Sequence, residues 1–166
     1  MDHEALVERG EYLVMVGGCN DCHTPWIIGP NGPEPDLTRM LSGHPEDLQV
    51  GPQIPVPAEA GLWIWAPHNT VWVSDAGIAY AFNLTPDENT GIGIWTEEIF
   101  IKTLRTGKHW GTSRDILPPM PWFNYGKMTE EDLKAVWAYL RTIPPVHNRV
   151  PDAVVAPPPV VAASAG

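Results

Sequence analysis

Residues 17–26 read GGCNDCHTPW and hold both cysteines of this 166-residue chain. Cys19 and Cys22 stand three apart, and His23 follows directly. On a helical turn, residues three apart face the same way, so both thiols can meet one edge of a single partner. A thioredoxin-like redox pair would follow a strand and open a helix in a βαβ unit. Here the pair follows a helical pattern instead. A zinc site needs four ligands, and no second Cys or Cys/His pair at short spacing is present. A disulfide across two intervening residues closes too short a loop to stabilise much. Cys-x-x-Cys-His is the attachment pattern of a c-type haem, and it accounts for all three residues. The thiols would add to the two vinyl groups on one edge of the ring, and His23 would reach the iron from the same side.

Outward from the motif, residues 3–18 (HEALVERGEYLVMVGG) place Leu6, Val7, Gly10, Leu13 and Val14 at three- and four-residue spacing. That is one apolar helix face, ended by Gly17 and Gly18. Residues 95–107 (WTEEIFIKTLRTG) form a second helix, capped by Thr96 and stopped by Gly107, with Ile99, Phe100, Thr103 and Leu104 facing inward. Residues 128–145 (MTEEDLKAVWAYLRTIPP) form a third, capped by Thr129 and ended by Pro144 and Pro145. Its stripe is Leu133, Val136, Trp137 and Leu140. The stretch 24–61 is rich in Pro and Gly, with a short helix expected over 35–43 (PDLTRMLSG). GLWIW and TVWVS flank APHN as two strands of a small hairpin over residues 61–74. Trp63 and Trp65 share one face there, Ile64 takes the other, and Trp72 lies across the turn. So much aromatic surface needs a cover. It either closes a satellite core on the domain's own loops, or screens a haem edge or docks a redox partner. Residues 147–166 are Pro- and Ala-rich without period and read as a tail or linker.

The chain carries 20 acidic and 10 basic residues, a net charge of -10. That balance argues against nucleic acid or an anionic membrane as partner. No apolar run approaches the length of a membrane span, and no secretory signal pattern is visible. Export would require a signal, anchor or fused domain outside this chain.

An iron bound by His23 takes a sixth ligand for fast electron transfer, and a thioether favours the ferrous state. The candidates are Met15, Met40, Met120 and Met128, with His44, His68, His109 and His147. Met120 stands between prolines in LPPMPW (117–122), which stiffen the chain around the sulfur. It is preferred, with His109 next.

Several segments together resemble a class I c-type cytochrome, in the bacterial periplasmic group that includes cytochrome domains of dehydrogenases and oxidases. They are RGEYL, GCNDCHTP, NLTPDENTGIGIW, LRTGKH, ILPPMPW and MTEEDLKAVWAYLRTIPPVHNRVP, covering residues 9–26 and 83–151 in the family's order. The resemblance implies a mainly α cytochrome c fold, three or more helices around one haem, with long loops and a small β-hairpin insertion. The haem domain would span 1–146, with the insertion at about 27–82. Cys19 and Cys22 would bind one haem c covalently, and His23 and Met120 would hold its iron. Asn83, Leu84, Ile92, Leu104 and Trp122 would contact the ring. The first and last helices would cross near Gly10, close to Trp137 or Leu140. One departure concerns the carbonyl that holds the other nitrogen of His23. Gly29-Pro30 and Gly51-Pro52 both fit the family's Gly-Pro element loosely and leave that carbonyl open. The expected function is electron transfer in the periplasm or on the outer face of the bacterial membrane, to or from a terminal oxidase or dehydrogenase. No acid/base pair or nucleophile triad suggests an enzyme. The alternative is a haem domain with a displaceable sixth ligand, a gas sensor or peroxidase-like protein.

Overall fold

The computed structural model describes residues 2–48 and 64–156. Helix α1, His3–Val16, starts where the Asp2 carboxylate accepts from the Ala5 backbone N–H. Its apolar stripe buries Gly10 and Val14. At its end Gly18 adopts φ 68°, a left-handed conformation that L side chains rarely take. That turn starts α2, Cys19–His23, immediately after α1.

Helix α3, Glu97–Thr106, has the expected Thr96 cap and a left-handed Gly107 at its end. A short α4, Trp122–Tyr125, follows the Met120 loop. Helix α5, Glu130–Leu140, is capped by Thr129 and buries Leu133, Val136 and Leu140 as its periodicity predicts. Among the described residues, helices α1 and α5 form the most extensive packing between elements. They cross at Gly10, where an added Cβ would collide with the Ala135 carbonyl oxygen and lie 2.8 Å from Tyr139 Cβ. The neighbours are thus Ala135 and Tyr139 rather than Trp137 or Leu140. The main core gathers Val14, Leu41, Ile92, Trp95, Phe100, Val136, Tyr139, Leu140 and Ile143.

The structure contains more strand than the sequence patterns suggest, so its content is mixed rather than mainly α. Strands β1 (Trp26–Gly29) and β2 (Gly32–Pro35) pair antiparallel around Pro30 and Asn31. The segment 35–43 is not a helix beyond a 3-10 turn at Leu37–Arg39. Asp36 caps that turn, and Leu41 at φ 60° then redirects the chain. The Trp-rich hairpin is present as β3 (Ile64–Trp65) against β4 (Val71–Ser74), with Trp65 opposite Trp72. It is half of a larger sheet, continued by β5 (Gly77–Tyr80) and β6 (Val154–Val155). Trp63 and the side chain of Trp65 lie outside the described residues. Val71, Val73 and Ile78 form a small second core under this sheet.

The segment read as the start of a tail is therefore part of the packed structure through Val155. Asn148 is buried. Its amide nitrogen donates to the Ser42 carbonyl at 2.7 Å and the His44 carbonyl at 2.9 Å, and its oxygen accepts from the Glu46 N–H at 2.9 Å. Composition concealed this role, since Pro and Ala were numerous and no apolar period marked the segment.

Candidate cofactor site

Three sets of bonds hold α2 in place. The Tyr125 hydroxyl donates to the Gly17 carbonyl at 2.6 Å, fixing the turn from which α2 begins. Thr24, fully buried, donates from its hydroxyl to Asn20 at 2.8 Å and accepts from the Leu41 N–H at 2.8 Å. The Gly43 N–H donates to the His23 carbonyl at 2.7 Å. Cys19, Cys22 and His23 are thereby presented to one cavity, which they line together with Leu84, Ile92, Phe100, Leu104, Leu133 and Val136, an overwhelmingly apolar wall. The cavity has a volume of roughly 180 Å³. Trp72 and Ala79, paired across β4 and β5, line it too. Part of the sheet thus lines the cavity, while Val71, Val73 and Ile78 hold the small second core.

His23 Nδ1 sits 2.8 Å from the Phe82 carbonyl oxygen. Donation from Nδ1 to that carbonyl fixes the ring and leaves Nε2 with a free lone pair. Such an outer partner is the usual companion of a metal-binding imidazole. It is neither of the Gly-Pro carbonyls considered from sequence. The signal was poor because the acceptor lies 59 residues away along the chain. Burial holds the His23 pKa below its ordinary value, against the opposing pull of Phe82. The imidazole is accordingly neutral near pH 7, the form that binds iron.

Both cysteines are unpaired thiols. Burial pushes Cys19 up to about 11, and burial followed by the charge of Asp21 raises Cys22. A redox-active pair needs the opposite shift, toward thiolate. Among the described residues, no three His, Cys, Asp or Glu side chains gather as a metal cluster.

Of the candidate sixth ligands, the structure brings Met120, Met128 and His109 to the cavity wall. Met15 is exposed, and Met40 packs on the main core. His44 is buried elsewhere, with Nδ1 2.9 Å from the Thr70 hydroxyl and Nε2 2.6 Å from the Leu48 carbonyl. His68 shares that Thr70 hydroxyl, and His147 is exposed beside Asp87. Leu84, Ile92 and Leu104 stand in the cavity wall as expected contacts.

Asn83 and Trp122 do not stand in that wall. Asn83 is fully buried behind it. Its amide nitrogen donates to the Val146 carbonyl at 2.9 Å, and its oxygen accepts from the Thr85 N–H at 3.0 Å and hydroxyl at 2.8 Å. The Trp122 ring lies over Gly107, where a Cβ would strike it. Both residues stand behind segments that line the cavity. Tyr80, Phe82, Trp95, His109 and Arg114 belong to the wall and were not singled out as ring contacts. GIGIW and TGKH were visible as motifs, but spacing alone did not show that their aromatic rings turn inward.

No family model matches the chain. It is 30% identical over 152 residues to the cytochrome c subunit of alcohol dehydrogenase (quinone) from Gluconobacter oxydans, covering 90% of this chain and 24% of that one. It is 31% identical over 139 residues to the gluconate 2-dehydrogenase cytochrome c subunit of Pantoea cypripedii, covering 82% and 23%. The fructose dehydrogenase cytochrome subunit of Gluconobacter japonicus is 29% identical over 140 residues, covering 84% and 22%. The chain belongs with the c-type cytochromes. This cytochrome spans about a quarter of the length of the relatives it matches. No helix among its described residues is long and apolar enough to cross a membrane.

The residues of the cytochrome's cavity fit a haem on chemical grounds. A flat apolar ring suits an apolar wall, and the two thiols reach it from one helical turn. A neutral, oriented imidazole would offer a nitrogen, and Met120 a thioether.

Proposed function

We propose that the chain is an electron carrier that holds one haem c and serves a dehydrogenase as its redox partner. The observation that carries this reading is the Phe82 carbonyl bonded to His23 Nδ1, in a helix whose two cysteines open onto the same apolar cavity as Met120. Bound there, the haem would supply a one-electron couple. Cys19 and Cys22 would hold its edge by thioethers, and His23 Nε2 and Met120 Sδ would hold its iron. A fixed ligand pair keeps reorganisation small. A thioether and an apolar wall both favour the ferrous state and raise the potential. The matched relatives are cytochrome subunits of their dehydrogenases, which supports the role of a carrier. Thioether attachment is completed outside the bacterial inner membrane, which favours a periplasmic or outer-face location.

The test has two parts. Haem should stay with the polypeptide through denaturation and acid–acetone extraction, and free extraction would refute the thioether reading. The oxidised protein should show the weak far-red sulfur-to-iron band. Met120→Ala should abolish it, lower the potential and admit carbon monoxide, while Met128→Ala should do none of these. A high-spin spectrum in the unaltered protein would favour the gas-sensor or peroxidase-like alternative.

A further inference from the structure

Helix α1 is divided lengthwise. Gly10 and Val14 are buried, Gly10 against α5, and Leu13 and Val14 line the cavity. On the opposite side Glu4, Glu8, Glu11, Tyr12, Met15 and Val16 are all exposed. At helical spacing these six fall within about 140° of arc, so they share one face.

The C-terminal end of that face is apolar. Tyr12, Met15 and Val16 are 61%, 61% and 62% exposed. Single apolar side chains scattered over a surface are ordinary, but these three stand at i, i+3 and i+4 and make one patch. The patch abuts the turn that carries the cysteines. The Met15 sulfur lies 3.7 Å from the Asn20 amide nitrogen, and Asn20 stands between Cys19 and Cys22 in α2.

The other end of the face is acidic and uncompensated. Glu4, Glu8 and Glu11 form no ion pair among the described residues. Arg9, the one arginine of the helix, is taken by Asp132 of α5 at 2.6 Å. A second copy of this chain, at net charge -10, brings like charge to the face and is repelled. A basic surface is attracted and steered to it. The size suits a brief encounter as well. From Glu4 to Val16 the helix rises about 18 Å. Electron-transfer encounters bury little surface, below about 1,200 Å² in total.

On the reading that the chain is an electron carrier, we propose that this face of α1 docks the redox partner. The partner presents an apolar centre to Tyr12, Met15 and Val16 and a rim of Lys or Arg to Glu4, Glu8 and Glu11. The glutamates set the encounter rate and its salt dependence. The apolar end holds the partner beside the Cys19–Cys22 turn.

The test titrates a lysine-rich c-type cytochrome, as a basic redox probe, into the isotope-labelled, haem-loaded protein at low ionic strength. Backbone amide shifts should centre on residues 4–20. Glu4→Gln/Glu8→Gln/Glu11→Gln should weaken binding about 10-fold at low salt and little at high salt. Asp75→Asn/Glu88→Gln/Glu98→Gln removes the same charge from exposed positions elsewhere, and should weaken it less than about 3-fold. Tyr12→Ser/Met15→Ser should weaken it at both salt concentrations. Shifts centred on another face would overturn the proposal. So would equal weakening by the two triple variants, because net charge alone would then explain the attraction. A dimer in sedimentation that Tyr12→Ser/Met15→Ser splits would also overturn it, since the face would then join two copies. Failure of the carrier reading itself is seen separately, in the unaltered protein before any probe is added, as haem that extracts freely or a high-spin spectrum.

Discussion

Replacing Gly10 with alanine sets two effects against each other, and the structure says which prevails. In an ordinary helix interior the change gains about 1 kcal/mol, because glycine has the greater backbone entropy to lose. In α1 the new methyl would enter the Ala135 carbonyl of α5 and stand 2.8 Å from Tyr139 Cβ. Carbon atoms prefer about 3.5–4.0 Å, so the tyrosine contact alone asks the helices to part by roughly 1 Å. The carbonyl cannot move by rotamer change, since it belongs to the α5 backbone. Overpacking of this kind costs about 1–3 kcal/mol and sits at the upper end where backbone must shift. Separation also loosens Val14 and Leu140, which belong to the same core. The net effect is a loss of about 2 kcal/mol, or roughly 4–8 °C in Tm for a chain of this size. Guanidinium titration of the haem-loaded protein, read by tryptophan fluorescence, measures it, with the exposed Glu8→Ala on the same helix as control. Gly10→Ala as stable as the unaltered protein, or more so, would refute the helix-crossing argument.

Asn148→Ala leaves the Ser42 and His44 carbonyls and the Glu46 N–H without their partner. At about 1–3 kcal/mol for a buried unsatisfied group, partly relieved by water, it should cost about 2–4 kcal/mol in the same titration. An unaltered midpoint would return residues 147–155 to the status of a tail. His44 governs the acid limb of stability. Burial first, then the nearby His68, lowers its folded pKa, with Leu48 and Asp47 opposing. The unfolded chain therefore takes up the proton first, near pH 6.5. The contribution of His44 is present above that pH and is lost as pH falls through its lower folded value. His44→Gln, which keeps a donor toward Leu48, should flatten stability against pH below about 6.5. An identical acid limb in both proteins would rule His44 out.

The helices were legible because each carried its signals locally. Thr96 and Thr129 cap as their positions suggest, Gly107 stops α3, and the α5 stripe is buried at Leu133, Val136 and Leu140, with Trp137 half-buried. The strands were less so. Strand β5 is four residues long and β6 two, too short for alternation to stand out, and they join the hairpin from 77–80 and 154–155. The site divides the same way. Cys19, Cys22, His23 and Met120 could be named because type and spacing within a few residues carry their chemistry. The Phe82 acceptor and the inward turn of Trp95 and His109 depend on long-range packing that leaves no local period. Asn83 shows the limit best: its motif is visible in the sequence, but the structure places it behind the cavity wall rather than in it.

That correction links the tail-like segment to the candidate iron ligand. Phe82 orients His23 through its carbonyl, and the next residue, Asn83, holds the loop behind that carbonyl. The Asn83 amide donates to the Val146 carbonyl at 2.9 Å and reaches Asn148 at 3.3 Å, while the Asn148 amide ties back to Ser42 and His44. Gly43, between those two, bonds to the His23 carbonyl at 2.7 Å. His23 is thus gripped at ring and backbone by two loops, and both loops are fastened to residues 146–148. The order of the segment after α5 sets how firmly the ring is held, because neither loop has a helix of its own behind it. Changes in this segment should therefore be felt at His23, although no part of it stands near α2 in the sequence.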